Sequence, residues 1–235
     1  MTAPDLIVIL PVYQEEAVIT EVVTAWIHML DTLRIDWRLR VRNDGSRDET
    51  AARLNAISHP RLDIIHAQNQ GHGPAILAEY RRAVHEAPWV FQTDSDGETH
   101  PRDFPAFWEQ RDTADLLIGY RQNRGGPLLR RCITAALRRL TRILFGKGIR
   151  DVNCPYRLFR AAAFRDLLTQ LPADTFAPNV LISAHALRQN LRIREHPIHY
   201  QLRRTGQVSI RRGRLLRAAL RATRQTLRFA RAPKS

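Results

Sequence analysis

Two carboxylates separated by one residue, Asp94 and Asp96, directly follow the apolar run Trp89-Val90-Phe91. In an extended strand, residues i and i+2 point the same way, and a turn at Gly97 would let both carboxylates converge on one cation. Mg²⁺ and Mn²⁺ prefer oxygen ligands, and Mg²⁺ is usually held by one or two carboxylates together with substrate phosphates. The pair therefore suggests a nucleotide-diphosphate site. The structural alternative is a solvated turn, because Asp and Gly both favour turns.

Three other clusters of polar residues also follow apolar runs or precede a helical pattern. They are Tyr13–Glu16, Asn43–Ser46 and Gly71–Gly73. In parallel α/β sheets, ligands bind outside the carboxyl ends of the strands. Four polar loops at such ends predict one shared binding edge. Because Gly71-His72-Gly73 lacks the spacing of phosphate-binding glycine motifs, we expect a tight turn there, with backbone contact to the ligand at Gly73.

The elements that would position these loops alternate between short apolar runs and helical patterns. Strands are predicted at Leu6–Leu10, Arg38–Arg42, Leu62–His66, Trp89–Gln92, Asp115–Gly119 and Ile193–Gln201. Helices are predicted at Glu16–Thr32, Asp48–Ile57, Pro74–Glu86 and Pro101–Arg111. This alternation predicts an α/β fold with a mostly parallel, doubly wound sheet covered by helices on both faces.

Charge divides the chain into two unlike halves. Residues 1–120 carry 11 Lys/Arg and 19 Asp/Glu, whereas residues 121–235 carry 26 and 4. Two stretches of the second half, Leu129–Phe145 and Leu215–Ala230, place apolar residues at helical spacing among arginines, which is typical of basic amphipathic helices. A basic half of this kind implies an anionic partner, either nucleic acid or an anionic membrane surface.

Composition also excludes several classes of protein. The longest apolar stretch, Leu6–Tyr13, is far too short to span a bilayer, and the first residues lack the features of a signal peptide. The two cysteines, Cys132 and Cys154, have no metal-binding spacing. These features predict a reduced, cytoplasmic protein.

Five motifs together resemble the family 2 glycosyltransferases, and within them the dolichol- or polyprenyl-phosphate sugar synthases. The motifs are Pro11-Val12-Tyr13-Gln14-Glu15, Asn43-Asp44-Gly45-Ser46, Asp94-Ser95-Asp96, Asp151–Arg157 and Arg203-Arg204-Thr205-Gly206. The resemblance implies a GT-A fold, a divalent cation (Mg²⁺ or Mn²⁺) and inversion at the sugar carbon. It implies one domain over residues 1–212, with a nucleotide-sugar-binding half (1–120) and an acceptor half (121–212). A basic helix or tail would follow over 213–235.

The resemblance also implies roles for individual residues. The nucleotide would be bound by Pro11, Tyr13, Glu15, Asp44 and Asp94. The metal would be bound by Asp96 directly, with Asp94 and Glu98 beside it. Arg121, Arg130 and Arg203 would grip phosphates. The chain departs from the family at Asn43, where aspartate is usual, and it carries no C-terminal transmembrane helices, which many of these synthases have.

The expected reaction moves a hexose from a UDP- or GDP-sugar to a polyprenyl phosphate. The acceptor phosphate is already anionic, so no general base is required. A hydroxyl acceptor would need a base, for which Asp151 is the first candidate and Glu98 the second. We expect the protein to lie peripherally on the cytoplasmic face of the membrane, attached by its basic helices or by a membrane subunit. Alternatives are a nucleic-acid-binding protein, which lacks any supporting motif, and a sugar-nucleotide binder without turnover, suggested by Asn43.

Overall fold

A computed structural model describes residues 3–121, 135, 139, 142–144, 148–201, 221 and 223–230. The strands are β1 Leu6–Val12, β2 Trp37–Asp44, β3 Leu62–Ala67, β4 Trp89–Gln92, β5 Leu116–Arg121, β6 Arg157–Arg160 and β7 Ile193–Ile198. The helices are α1 Ile19–Asp31, α2 Thr50–Asn55, α3 His72–Glu86, α4 Phe104–Glu109, α5 Ala161–Gln170 and α6 Pro178–Arg188. Short 3₁₀ turns lie at Pro101–Asp103 and Arg111–Thr113.

The seven strands form one sheet in the order β3-β2-β1-β4-β6-β5-β7. Every neighbouring pair is parallel except the two that involve β6, which is antiparallel to both β4 and β5. The carboxyl ends of six strands therefore share one edge with the amino end of β6. The expected mostly parallel α/β sheet is confirmed, with one reversed strand.

Helices cover both faces of the sheet. Phe91 of β4 packs against Trp26 of α1 and Phe104 of α4, with ring centroids 5.4 and 4.6 Å apart. On β6, Phe159 is paired in register with Val90 and so lies on the face opposite to Phe91. There it packs against Tyr80 of α3 and Phe164 of α5, each at 5.2 Å. Burial on both faces explains why all seven residues of β1 are buried.

The predicted elements are in their expected places, with three corrections. The single helix predicted over Pro101–Arg111 is wrong: the segment divides into a 3₁₀ turn, α4 and a second 3₁₀ turn. Pro105 lies at the start of α4, where a residue without an N–H is tolerated. The last strand ends at Ile198 rather than Gln201, and only Tyr200 continues as an isolated bridge to Thr99. β6, α5 and α6 were not predicted.

Of the two basic amphipathic helices, Leu129–Phe145 lies mostly outside the described residues. In the second, residues 221 and 223–230 are helical. Gln225 accepts a hydrogen bond from the Phe176 amide at 2.9 Å, and Arg188 of α6 donates to the Phe229 carbonyl at 2.9 Å. This part of the C-terminal segment therefore packs against the body of the fold. The expected boundary at residue 213 lies outside the described residues.

Within these ranges, no helix has both the length and the hydrophobicity to cross a membrane.

Candidate active site

The carboxyl edge of the sheet brings most of the predicted site residues together. Tyr13 and Glu15 follow β1, Asp44 ends β2, and the loop after β4 carries Asp94, Asp96 and Glu98. Arg121 ends β5, and Asp151 precedes the reversed strand β6. Pro11 lies within β1, one residue from its end. Arg130 and Arg203 lie outside the described residues.

The loops after β1 and β2 are fastened to one another by side chains. The backbone N–H of Gln14 donates to Ser46 Oγ, and the backbone N–H of Glu15 donates to Thr50 Oγ1, each at 2.9 Å. Gln14 has a φ of 55°, a left-handed conformation that costs energy for a residue other than glycine. The loop after β1, which carries Tyr13 and Glu15, is therefore held in place by side chains that follow β2.

Asp44 is buried and fixes the loop that leads into α3. Its two carboxylate oxygens accept the backbone amides of Gln70 at 3.0 Å and Gly71 at 2.9 Å. A carboxylate oxygen can accept two hydrogen bonds, so these contacts leave acceptor capacity for a ligand. The predicted hydrogen bond to a nucleotide remains a prediction. The structure adds that Asp44 joins β2 to the loop before α3.

Asn43 makes one contact through its side-chain nitrogen, which an aspartate lacks. Its Oδ1 accepts the Ser46 amide at 3.1 Å, while its Nδ2 lies 3.1 Å from His66 Nδ1. His66 Nε2 in turn lies 2.9 Å from Asn55 Oδ1. Because an ionised carboxylate carries no proton to donate, only the amide at position 43 can donate a hydrogen bond to His66 Nδ1. This departure from the family is thus accommodated by local hydrogen bonding.

The acidic pair is held from two directions. Gln92 Nε2 donates to Asp94 Oδ1 at 3.1 Å, and His72 Nε2 lies 3.8 Å from the same oxygen. The Glu98 amide donates to Asp96 Oδ1 at 3.0 Å across a turn in which Gly97 has a φ of 71°. The turn expected at Gly97 is confirmed, because a positive φ is available to glycine at little cost.

Asp94 and Asp96 offer a donor set suited to Mg²⁺ or Mn²⁺. Among the described residues no group of three or more His, Cys, Asp or Glu side chains could hold a metal ion. Mg²⁺ is commonly bound through one or two protein carboxylates, with phosphates and water completing its coordination. Asp94 is partly exposed, with 26% of its side chain accessible, so its oxygens can be reached.

Arg121 lies within the electrostatic field of several acidic groups. Burial lowers the pKa of its guanidinium, but Cys154, Asp151 and Asp94 raise it, and the net shift is upward. The guanidinium carbon lies 4.9 Å from the ring centre of Tyr200, and among the described residues Nε has no hydrogen-bond partner. A charged side chain with buried donor capacity at this edge suits a phosphate ligand.

Tyr200 was not among the predicted site residues. Burial is the largest cause that raises the pKa of the Tyr200 hydroxyl to about 12, and its hydrogen bond to Glu98 is the second. The Gln201 amide also donates to the Glu98 carbonyl at 2.9 Å. Tyr200 therefore joins the end of β7 to the acidic loop and supports Arg121 from one side. No spacing pattern in the sequence could have indicated this pairing of distant segments.

The loop that carries Asp151 is fixed by a buried arginine. Arg157, which is fully buried, donates to the Cys154 carbonyl at 2.6 Å and to the Val152 carbonyl at 3.2 Å. Burial lowers the pKa of Arg157. Burial also raises the pKa of the Cys154 thiol to about 12, which makes it a poor nucleophile at neutral pH.

Gly73 packs against backbone rather than standing open to solvent. A Cβ at this position would lie 2.1 Å from the Phe176 carbonyl oxygen and 2.5 Å from that of Thr175. The close approach explains the glycine on steric grounds alone. Its predicted contact with the nucleotide remains a prediction.

Comparison with known proteins identifies the family to which the chain is similar. The model of the family described as glycosyl transferase family 2 matches residues 7–168. The chain is 29% identical over 194 residues to the undecaprenyl-phosphate mannosyltransferase of Micrococcus luteus. The alignment covers 78% of this chain and 80% of that protein. It is 26% identical over 205 residues to the undecaprenyl-phosphate 4-deoxy-4-formamido-L-arabinose transferase of Salmonella choleraesuis, covering 85% of this chain. The chain spans 60% of the length of that second relative.

A solved structure confirms the fold. The glucosyl-3-phosphoglycerate synthase of Mycobacterium tuberculosis, determined with Mn²⁺, uridine diphosphate and phosphoglyceric acid, has a TM-score of 0.71 to this chain. The sequence identity is 20%, and the alignment covers 99% of this chain and 80% of the other. The expected fold class is therefore confirmed.

Proposed function

Because the chain belongs to glycosyl transferase family 2, we propose that it transfers a hexose from a nucleotide-diphosphate sugar to a polyprenyl phosphate. The donor would be a UDP- or GDP-hexose. The relatives named for undecaprenyl phosphate support the choice of acceptor.

One observation carries the proposal. The carboxylates that follow β4 and the arginine that ends β5 lie at the same edge of the sheet, and Arg121 interacts electrostatically with Asp94. Carboxylates that suit a divalent cation, beside a guanidinium that suits a phosphate, form the set of groups that a sugar–diphosphate bond needs for cleavage.

The chain's own residues would act by positioning and by electrostatics. An oxygen of the acceptor phosphate attacks the anomeric carbon from the side opposite the diphosphate, and the bonding electrons leave with the diphosphate. Arg121 stabilises the negative charge that develops there, because its guanidinium is charged at every physiological pH. Asp94 and Asp96 would hold Mg²⁺ or Mn²⁺, which supplies further charge neutralisation when bound. Asp44 holds the loop before α3 in place beside the proposed donor site.

A hydroxyl on a glycan or lipid is the second candidate acceptor. The observation that favours it is the position of Asp151, a carboxylate beside Arg121 at the same edge. A hydroxyl must lose its proton as it attacks, so Asp151 would then act as the base. For a phosphate acceptor, Asp151 would only help to hold Arg121. Asp151→Asn therefore abolishes transfer to a hydroxyl but leaves substantial transfer to a phosphate.

The acceptor also implies a location. A polyprenyl phosphate resides in a membrane, and the basic half of the chain would bring the site to an anionic surface, which we place at the cytoplasmic face. Each basic residue near such a surface contributes about 1 kcal/mol. A membrane subunit is the alternative means of attachment.

The test is a transfer assay with the purified protein and radiolabelled UDP- and GDP-hexoses. Undecaprenyl phosphate in detergent serves as acceptor, with Mn²⁺, with Mg²⁺ and with a chelator. The expected product is a lipid-linked sugar that is labile to mild acid and resistant to alkaline phosphatase, and it forms only with a divalent cation. Nucleotide binding without transfer to any phosphate or hydroxyl acceptor would favour the binder without turnover. Binding to nucleic acid alone, weakening steeply with salt, would overturn the assignment.

A further inference from the structure

A buried group of polar side chains lies directly beneath Asp94 on one face of the sheet. Its members are Tyr80 of α3, Gln92 of β4 and Asn179 of α6, which are 0%, 0% and 5% exposed. Buried polar groups in native proteins are almost always hydrogen-bonded, and a connected network of them is costly unless every member is satisfied. The mechanism above does not use these residues.

Hydrogen bonding fixes which way the Gln92 amide points. Its Oε1 lies 2.9 Å from Asn179 Nδ2, which can only donate, and 3.2 Å from the Tyr80 hydroxyl. Its Nε2 must then face Asp94, where it donates to Oδ1 at 3.1 Å. In the opposite orientation an amide oxygen would face the carboxylate, and two amide nitrogens would face each other. Asn179 therefore holds the donor of Gln92 toward Asp94, while the Tyr80 hydroxyl donates to Asn179 Oδ1 at 2.9 Å.

Asn179 is itself held in place by the loop that carries Asp151. The backbone carbonyl of Asn179 accepts a hydrogen bond from Arg157 Nη1 at 2.7 Å. Arg157 also donates to the backbone carbonyls of Val152 and Cys154. A series of hydrogen-bonded residues thus runs from Asp94 through Gln92, Asn179 and Arg157 to the loop that carries Asp151.

We propose that Gln92 is a positioning residue for the transfer reaction, and that it sets the orientation of the Asp94 carboxylate for binding of the metal and nucleotide. This inference rests on the proposed function. The hydrogen bond from Gln92 gives the Asp94 carboxylate one preferred orientation before the metal and nucleotide bind. Less conformational entropy is then lost when they bind. Asn179 acts through Gln92.

The decisive variant is Gln92→Met, which keeps the length of the side chain but removes its hydrogen-bond donor. A hydrogen bond to a charged group is worth roughly tenfold to hundredfold in an equilibrium constant. We expect Mn²⁺-dependent binding of UDP or GDP, measured by calorimetry, to weaken by about that factor, with KM for the sugar nucleotide rising in step. The matched control is Tyr80→Phe, because Gln92 then still accepts from Asn179 and still donates to Asp94. This control should bind nucleotide within about threefold of the wild type, although it also loses a buried hydrogen bond.

Gln92→Glu provides a second readout that a purely structural role would not give. At pH 8 the new carboxylate faces Asp94 across the distance of a hydrogen bond, and the repulsion should suppress nucleotide binding. Because Glu and Gln have nearly the same shape, this loss would come from charge and not from packing. This variant also covers the case in which Gln92→Met fails to fold.

The outcomes separate the two proposals. If Gln92→Met and Gln92→Glu both bind and turn over like the wild type, or if Tyr80→Phe loses as much binding as Gln92→Met, the positioning role is wrong while the transferase assignment stands. A wild-type protein that shows no divalent-dependent nucleotide binding overturns both.

Discussion

Asp94 and Asp96 differ in what holds their carboxylates in place. Asp94 is held by a buried side chain of β4, whereas Asp96 is held by a backbone amide across the turn at Gly97. A side-chain contact can be changed by one substitution, but the backbone contact depends on the turn itself. The contact between Asp96 and the Glu98 amide should therefore survive changes in the surrounding side chains.

Replacing Asp96 with Asn should remove a charged metal ligand while leaving the turn intact, since the amide oxygen can still accept from Glu98. We expect turnover to fall by at least about a hundredfold and the stimulation by Mn²⁺ to be lost, because charge stabilisation in the transition state is weakened. The transfer assay measures both. Glu49→Gln makes the same change in charge at an exposed position that follows β2. If both variants retain full activity, Asp96 has no role in binding metal.

At the residue scale, the sequence predicts acidic and basic groups better than it predicts their neutral partners. Asp44, Asp94 and Arg121 are brought to one edge as expected, because their strands are parallel and their types are distinctive. Gln92 and Tyr200 could not be predicted, since each acts through a contact between segments that are distant along the chain. A polar residue in an apolar strand was the one available signal for Gln92.

At the scale of elements, α3 depends on a close approach of backbone to backbone. Gly73, in its first turn, packs against the carbonyls of Thr175 and Phe176, and the Phe176 amide in turn binds Gln225 of the C-terminal helix. The amino end of α3, the loop before α6 and the C-terminal helix are thus joined at one point.

Gly73→Ala should therefore lower the free energy of unfolding by about 3 kcal/mol, the upper end of what overpacking costs. Chemical denaturation measures this change. Gly71→Ala is the comparison, because a Cβ there meets no atom within 4 Å although φ is 90°. That variant reports backbone strain without overlap, so a loss at Gly73 no larger than that at Gly71 would contradict the packing argument.

Parallel strands with continuous apolar runs were predicted from sequence because burial on both faces leaves a clear pattern. β6 was not predicted, since its four residues begin and end with arginine and only Leu158 and Phe159 are apolar. α6 was missed for a related reason: it is buried almost all round, so it lacks the alternation of apolar and polar faces that marks a surface helix.

At the scale of the whole molecule, burial of neutral acids predicts instability at alkaline pH. The pKa of the Cys154 thiol is raised from 9.0 to about 12 and that of Tyr200 from 10.0 to about 12, while the pKa values of Tyr80 and Tyr156 are also raised. Each raised pKa means that the folded state holds a proton that the unfolded state releases at lower pH. The stability from these groups is therefore complete below about pH 9 and is lost as pH rises through the folded-state values.

We expect the free energy of unfolding to change little between pH 7 and 9 and to fall steeply between pH 10 and 12. Cys154→Ala removes one of these groups, so the slope there should become shallower by up to about 1.4 kcal/mol per pH unit. Urea denaturation at a series of pH values gives both curves. An unchanged slope in the variant would show that the thiol ionises equally in both states.

The charge of the C-terminal helix leads to a prediction about membranes. Thr226 is buried against the body, whereas Arg224 and Arg228 are exposed. The double variant Arg224→Glu and Arg228→Glu should bind anionic vesicles at least about tenfold more weakly in a sedimentation assay. Arg34→Glu with Arg53→Glu changes the net charge equally but lies in the acidic half, where both residues are exposed, and should bind like the wild type. Equal losses in the two double variants would mean that net charge alone governs attachment.

The reversed direction of β6 has a consequence for how such an enzyme can diversify. Strand β5 ends at Arg121 and β6 begins at Arg157, and both points lie at the edge that carries the candidate site. The sequence between these two points can therefore be lengthened, shortened or exchanged between homologues without altering the pairing of the seven described strands. If residues 1–120 bind the donor, as we propose, selection for new acceptors can act on this insert alone while donor recognition is inherited intact.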